Sequence, residues 1–171
     1  LAKQLMDMSA EYPFVAITGK MLPQTMVWLL VMGFYLYYVF GVQAFPHPGG
    51  WHILLMLGML AVLAAQGFGI FLCGRSPALR RSMSICSLWG VLSFSMVGTA
   101  FPTLAMDPEL QVLANLFPMR HVFLIYEIAA FGGYPLMDVA PNFIALVLFT
   151  SAPLLVMLRI GKALKEYVYM P

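Results

Sequence analysis

The feature that most constrains this chain is a set of long runs without a charged side chain. Gln24 to Phe45, Trp51 to Cys73 and Met83 to Ala105 contain no Asp, Glu, Lys or Arg, and Pro141 to Ile160 contains none before Arg159. The hydrocarbon core of a bilayer, about 30 Å thick, is crossed by about 20 apolar residues of helix, and inside it the chain must satisfy its own backbone polar groups. The four runs therefore predict an all-α integral membrane fold, with transmembrane helices at 24–45, 51–73, 83–105 and 141–160 in a single transmembrane domain over 1–171. Composition agrees, with 62% hydrophobic and 9% charged residues against about 45–50% and about 25% in soluble domains. A net charge of +2 is too small to suggest a nucleic-acid partner.

Lys and Arg are retained on the cytoplasmic side during insertion. With four spans and the N-terminus inside, Lys3, Lys20, Arg75, Arg80, Arg81, Arg159, Lys162 and Lys165 are cytoplasmic and only Arg120 is outside. Both ends are then cytoplasmic. A fifth span over 110–131 would reverse the last three of those cations and place Arg120, His121 and Glu127 in lipid, at about 2.5–3.5 kcal/mol per charged residue. The same segment is too apolar for a free loop. A re-entrant helical hairpin on the outer side, residues 107–131, is the expected solution, broken near Pro118 because proline disfavours helix at the residue before it.

Membrane-embedded catalysis or ion-coupled transport relies on ionisable side chains inside the spans, and these spans lack Asp and Glu. Gly19-Lys20 is no phosphate-binding loop, since Met21 follows and the earlier glycine of that motif is missing. Cys73 and Cys86 flank the basic segment without metal-site or disulfide-framework spacing, and are expected as reduced thiols near the cytoplasmic surface. Ala61, Ala65 and Gly69, four residues apart, form a small face suited to close helix packing. Ser84, Ser87, Ser93, Ser95 and Thr99 suggest interhelical hydrogen bonds or a weakly polar path, and Tyr35, Tyr37, Tyr38, Trp28 and Trp51 an interfacial belt. Arg120 and Glu127, seven apart, are expected to face the outer interface or another chain. At the N-terminus Leu1, Leu5 and Met8 give an amphipathic pattern, which on the residues alone is an interfacial helix on the inner leaflet.

Two stretches carry a resemblance. "AITGKMLPQT" (16–25) supplies Gly19, Lys20, Leu22 and Pro23; "GTAFPTLAMDPELQVLANLFPMRHVFLIYE" (98–127) supplies Phe101, Pro102, Met106, Pro108, Leu110, Gln111, Pro118 and His121. In this order, over nearly the whole chain, they resemble the C-terminal half of the membrane subunit of ABC-2 type ATP-binding-cassette exporters, nearest the multidrug-type permeases of bacterial inner membranes. Where that family has Met-Pro, Asp107 intervenes between Met106 and Pro108.

The resemblance implies a permease subunit that moves a drug-like amphiphile, lipid or glycan outward. It implies cytoplasmic ATPase subunits as partners, which hold the ATP and Mg while this chain binds no cofactor or metal of its own. A homodimer or heterodimer with another permease, contact with membrane lipid, and two further spans with an extracytoplasmic domain before Leu1 also follow. Residues 1–22 become a cytoplasmic coupling segment with Leu5, Met6, Asp7 and Glu11 as ATPase contacts. Gly19, Lys20, Phe101, Pro102, Met106, Pro108, Pro118, Arg120, His121 and Glu127 become motif or outer-gate positions. The rival expectation is a membrane anchor or assembly module that transports nothing, and an ATPase encoded beside it discriminates between the two.

Overall fold

A computed structural model describes residues 12–46, 50–76, 79–99, 102, 105–128 and 135–166, and every element among them is helical. Helix α1 (Pro13–Leu36) opens with Pro13, whose missing N–H costs nothing in a first turn. It then widens into a π-helical turn, Tyr37–Val42. Helix α2 (Trp51–Arg75) follows Gly50, which holds φ 82, a left-handed conformation suited to glycine. Next come α3 (Leu79–Ser95), the short α4 (Pro108–Ala114) and α5 (Pro118–Glu127). The chain closes with a 3-10 turn Leu136–Val139, α6 (Ala140–Ser151), a second 3-10 turn Ala152–Leu155, and α7 (Met157–Glu166).

By length and composition three helical stretches among the described residues can cross a membrane: Phe14–Val42, Trp51–Arg75 and Met137–Lys162. The expected span at 83–105 falls on the 17-residue α3, about 25 Å long at 1.5 Å per residue. It starts four residues earlier, within the basic segment, and is over before Gly98, whose φ of 108 no continuing helix accommodates. Helix α1 runs from Pro13 through the internal Pro23 without interruption, across the expected boundary at residues 22–24. The coupling positions Leu5, Met6, Asp7 and Glu11, and Phe101, lie outside the described residues.

Helix α2 is the hub, packed on α1, α3, α5 and most extensively α6. Its Leu57 and Ala64 form a buried core with Ile125 of α5, Val139 of the first 3-10 turn and Leu146 of α6. A second cluster, Leu36, Phe40 and Leu54, closes the α1–α2 end, with Phe40 edge-on to Trp51 at 6.2 Å. The small residue that meets α6 is Gly67, outside the Ala61, Ala65 and Gly69 set. A Cβ on Gly67 would stand 2.7 Å from the Phe149 carbonyl oxygen and 2.9 Å from that of Thr150, whereas one on Gly69 meets nothing within 4 Å and Ala65 is exposed.

Pro153 explains why those carbonyls are there. Lacking an N–H, it cannot bond to Phe149 four residues earlier. The chain tightens into the 3-10 turn, and the Ala152 N–H donates to Phe149 O instead. The side chain that would crowd this kink is removed at Gly67.

Candidate functional site

The segment between α3 and α6 concentrates the motif residues, and its shape follows from its prolines. Asp107 is the N-cap of α4, Pro108 its first residue and Glu109 lies in its first turn, where a carboxylate complements the helix dipole. Gln111 donates through Nε2 to the Met106 carbonyl at 2.9 Å, tying the preceding loop to the helix. Three tight bonds end α4: Asn115 N to Val112 O, Leu116 N to Leu113 O and Phe117 N to Ala114 O. Phe117 is extended (φ -103, ψ 122), as a residue before proline should be, and Pro118 then begins α5. This break strands the Asn115 carbonyl, which in a continuous helix would accept from the residue four ahead.

His121 takes that carbonyl. Its ring is buried, with Nε2 2.9 Å from Asn115 O and Nδ1 2.8 Å from Asn142 Oδ1 in the first turn of α6. Because a carbonyl only accepts, Nε2 must carry the proton. In a neutral ring Nδ1 is then an acceptor, so the Asn142 amide turns its NH2 toward it. In an imidazolium, Oδ1 accepts as placed. One side chain thus joins the end of α4, the start of α5 and the start of α6.

Arg120 points the other way, toward the loop that follows α3. Half-buried, its Nη1 donates to the Val97 carbonyl at 3.3 Å, beyond the C-terminal end of α3, where a cation complements the helix dipole. Beneath it the aromatic rings form a stack. Trp89 of α3 lies 4.8 Å from Phe117 and 5.3 Å from Phe68; Phe68 is edge-on to Phe149 at 5.4 Å, and Phe149 is 6.0 Å from His121. Pro118 is buried, Met106 half-buried, and Pro102, Pro108 and Glu127 are exposed. Two serines of α3, Ser84 and Ser95, donate to Arg80 O and Val91 O of their own helix.

Gly19 and Lys20 belong to a different place. Pro23, lacking an N–H, frees the Gly19 carbonyl four residues earlier. Lys20, Gln24 and Trp28, one face of α1, line a cavity of 530 Å³ floored by Ala65 and Gly69 of α2. A neighbouring cavity of 500 Å³ shares Gln66, which accepts from the Thr25 hydroxyl at 2.7 Å. Among the described residues, none of the hairpin lines either cavity, so the two motif groups lie apart there. Sequence reasoning missed Asn115, Asn142, Trp89 and Gln66. For Asn142 the available signal was an amide at the head of an otherwise apolar helix, a residue type that joins helices in membranes.

The all-helical fold, with stretches long enough to span and apolar surface around them, defines a multi-pass α-helical membrane protein. The family described as ABC-2 family transporter protein matches residues 2–159, and the chain belongs to that family. It is therefore a membrane component of a transport system, of a kind that associates with ABC ATPase subunits. Comparison with curated proteins and with solved structures gave no match.

Proposed function

We propose that the chain is the permease part of an ATP-driven exporter in a bacterial inner membrane, carrying an amphiphile outward with energy from a separate ATPase. The observation that carries this is family membership over residues 2–159, joined to a helix pair, packed on α2 and α6 through α5, that bears the motif residues. In this reading α3 is the third of four crossings, both ends are cytoplasmic, and α4–α5 is a re-entrant outer gate. The ring stack supports the depth of that gate. Phe117 reaches Trp89 and, through it, Phe68, which lies about 25 Å along α2 from Trp51 at 1.5 Å per residue. Tyr126, at the other end of α5, packs near Leu54 and Leu36. Helix α5 thus climbs from the bundle interior toward the α1–α2 turn.

Two such permeases pair around a path, ATP and Mg reside on the ATPases, and the segment with Leu5, Met6, Asp7 and Glu11 docks to them. ATPase closure rocks that segment and, through α1 and α2, the hairpin held by His121 and Arg120. The test is co-purification of the full-length protein with its ATPase, then substrate-stimulated ATP hydrolysis in liposomes. Reversing the charges of Asp7 and Glu11 is expected to weaken assembly. Unchanged assembly and turnover in the double reversal removes both from the coupling role, and a full-length protein that captures no ATPase overturns the exporter reading.

A further inference from the structure

The thiols of Cys73 and Cys86 lie 3.8 Å apart, one near the C-terminal end of α2 and the other in the second turn of α3. Both are unbridged, Cys73 is exposed and Cys86 half-buried. Cys73 also lines the 530 Å³ cavity, which gives a small reagent access. Their approach is built into the turn between the helices. Ser76 N–H caps α2 by donating to Cys73 O at 3.3 Å, and the buried Ser82 hydroxyl donates to Ser76 O at 3.1 Å. Those bonds set the first turns of α3 against the last turn of α2. Gly74 is held in turn, because Val156 and Ile160 fill the space where its side chain would be.

We propose that Cys73 and Cys86 form a redox modification site, a dithiol that a low-molecular-weight disulfide converts to an α2–α3 disulfide. Closing from 3.8 Å to the bonded distance of about 2.05 Å needs a movement of roughly 1.8 Å, within the reach of side-chain rotation. One cysteine thiolate attacks a sulfur of the reagent, breaking its S–S bond and releasing one thiolate. The second cysteine thiolate attacks the first cysteine's sulfur in the mixed disulfide and releases the other. The protein loses two electrons and two protons, and the reagent becomes two thiols. In the proposed orientation the pair faces the cytoplasm, where thiols are held reduced, so the dithiol is the resting form and the disulfide a response to oxidation. Once formed, it ties α3 to the end of α2 that seats α7.

The experiment uses full-length protein in membranes, treated with glutathione disulfide and digested for mass spectrometry. The expected result is one species joining the Cys73 and Cys86 peptides, without glutathione and reversed by dithiothreitol. Cys73→Ser and Cys86→Ser, with Cys73→Ala and Cys86→Ala as alternates if a serine variant does not fold, each carry one glutathione on the remaining cysteine. Wild-type protein that keeps both thiols, or carries glutathione on them without the linked species, overturns the proposal.

Discussion

His121 shows how one residue acquires a role from three elements. Its ring bonds a carbonyl stranded by Pro118 and an amide on α6, so His121→Ala removes two hydrogen bonds from a buried position. A loss of about 1–3 kcal/mol is expected, by thermal unfolding of the full-length protein in detergent. The His121–Asn142 bond alone should give a double-mutant coupling of about 0.6 kcal/mol, the usual size for interhelical bonds in membranes. An unchanged transition in His121→Ala removes the keystone role. A paired test belongs to the glycines of α2. Gly67→Ala drives a Cβ into two backbone oxygens and is expected to cost about 1–3 kcal/mol. Gly69→Ala, with open space, is expected to be neutral or stabilising by up to about 1 kcal/mol through helix propensity. Equal effects in the same unfolding assay would show that α2 and α6 do not meet at Gly67. Sequence spacing pointed to Gly69 because regular four-residue recurrence is visible in a string, whereas the closeness of a kinked neighbour is not.

At the scale of elements, prolines do most of the shaping, and each acts by what it withholds. Pro118 divides a hairpin, Pro153 tightens a turn, and Pro23 releases a carbonyl without stopping α1. Both the break before Pro118 and the tolerance of Pro153 were legible in the sequence, because the missing N–H is a property of the residue itself. The partners of the freed carbonyls were not legible, since Asn115 finds His121 within the hairpin but Phe149 finds its room across the bundle at Gly67. Helix α3 depends on such a partnership, being held by Trp89 between Phe68 and Phe117. With each aromatic pair worth about 0.5–1.5 kcal/mol beyond burial, Trp89→Ala is expected to destabilise by at least about 1–3 kcal/mol in the unfolding assay, and Trp89→Phe by clearly less. Equal losses would mean that burial, not ring geometry, secures α3.

For the whole molecule the question is which side each end faces. After replacement of Cys73 and Cys86, cysteines at Val112 and Met137, 70% and 81% exposed, should react with an impermeant maleimide applied from outside. A cysteine at the exposed Arg81 should react only when the inner side is open. Inner-side labelling at Met137 overturns the re-entrant hairpin.

Taken alone, the sequence determined that this chain lives in a membrane, where its apolar helices run, and where proline interrupts them. These follow from backbone hydrogen bonding and from the width of hydrocarbon, which act on each segment separately. Which faces meet was set by tertiary packing: Gly67 and Ala64 rather than Ala65 and Gly69, Arg120 on the Val97 carbonyl, His121 paired with Asn142. A helix apolar all round carries no periodic mark of its buried side, and lipid rewards no apolar face over another. Shape and a few polar groups make the choice, and they become partners only when the helices come together.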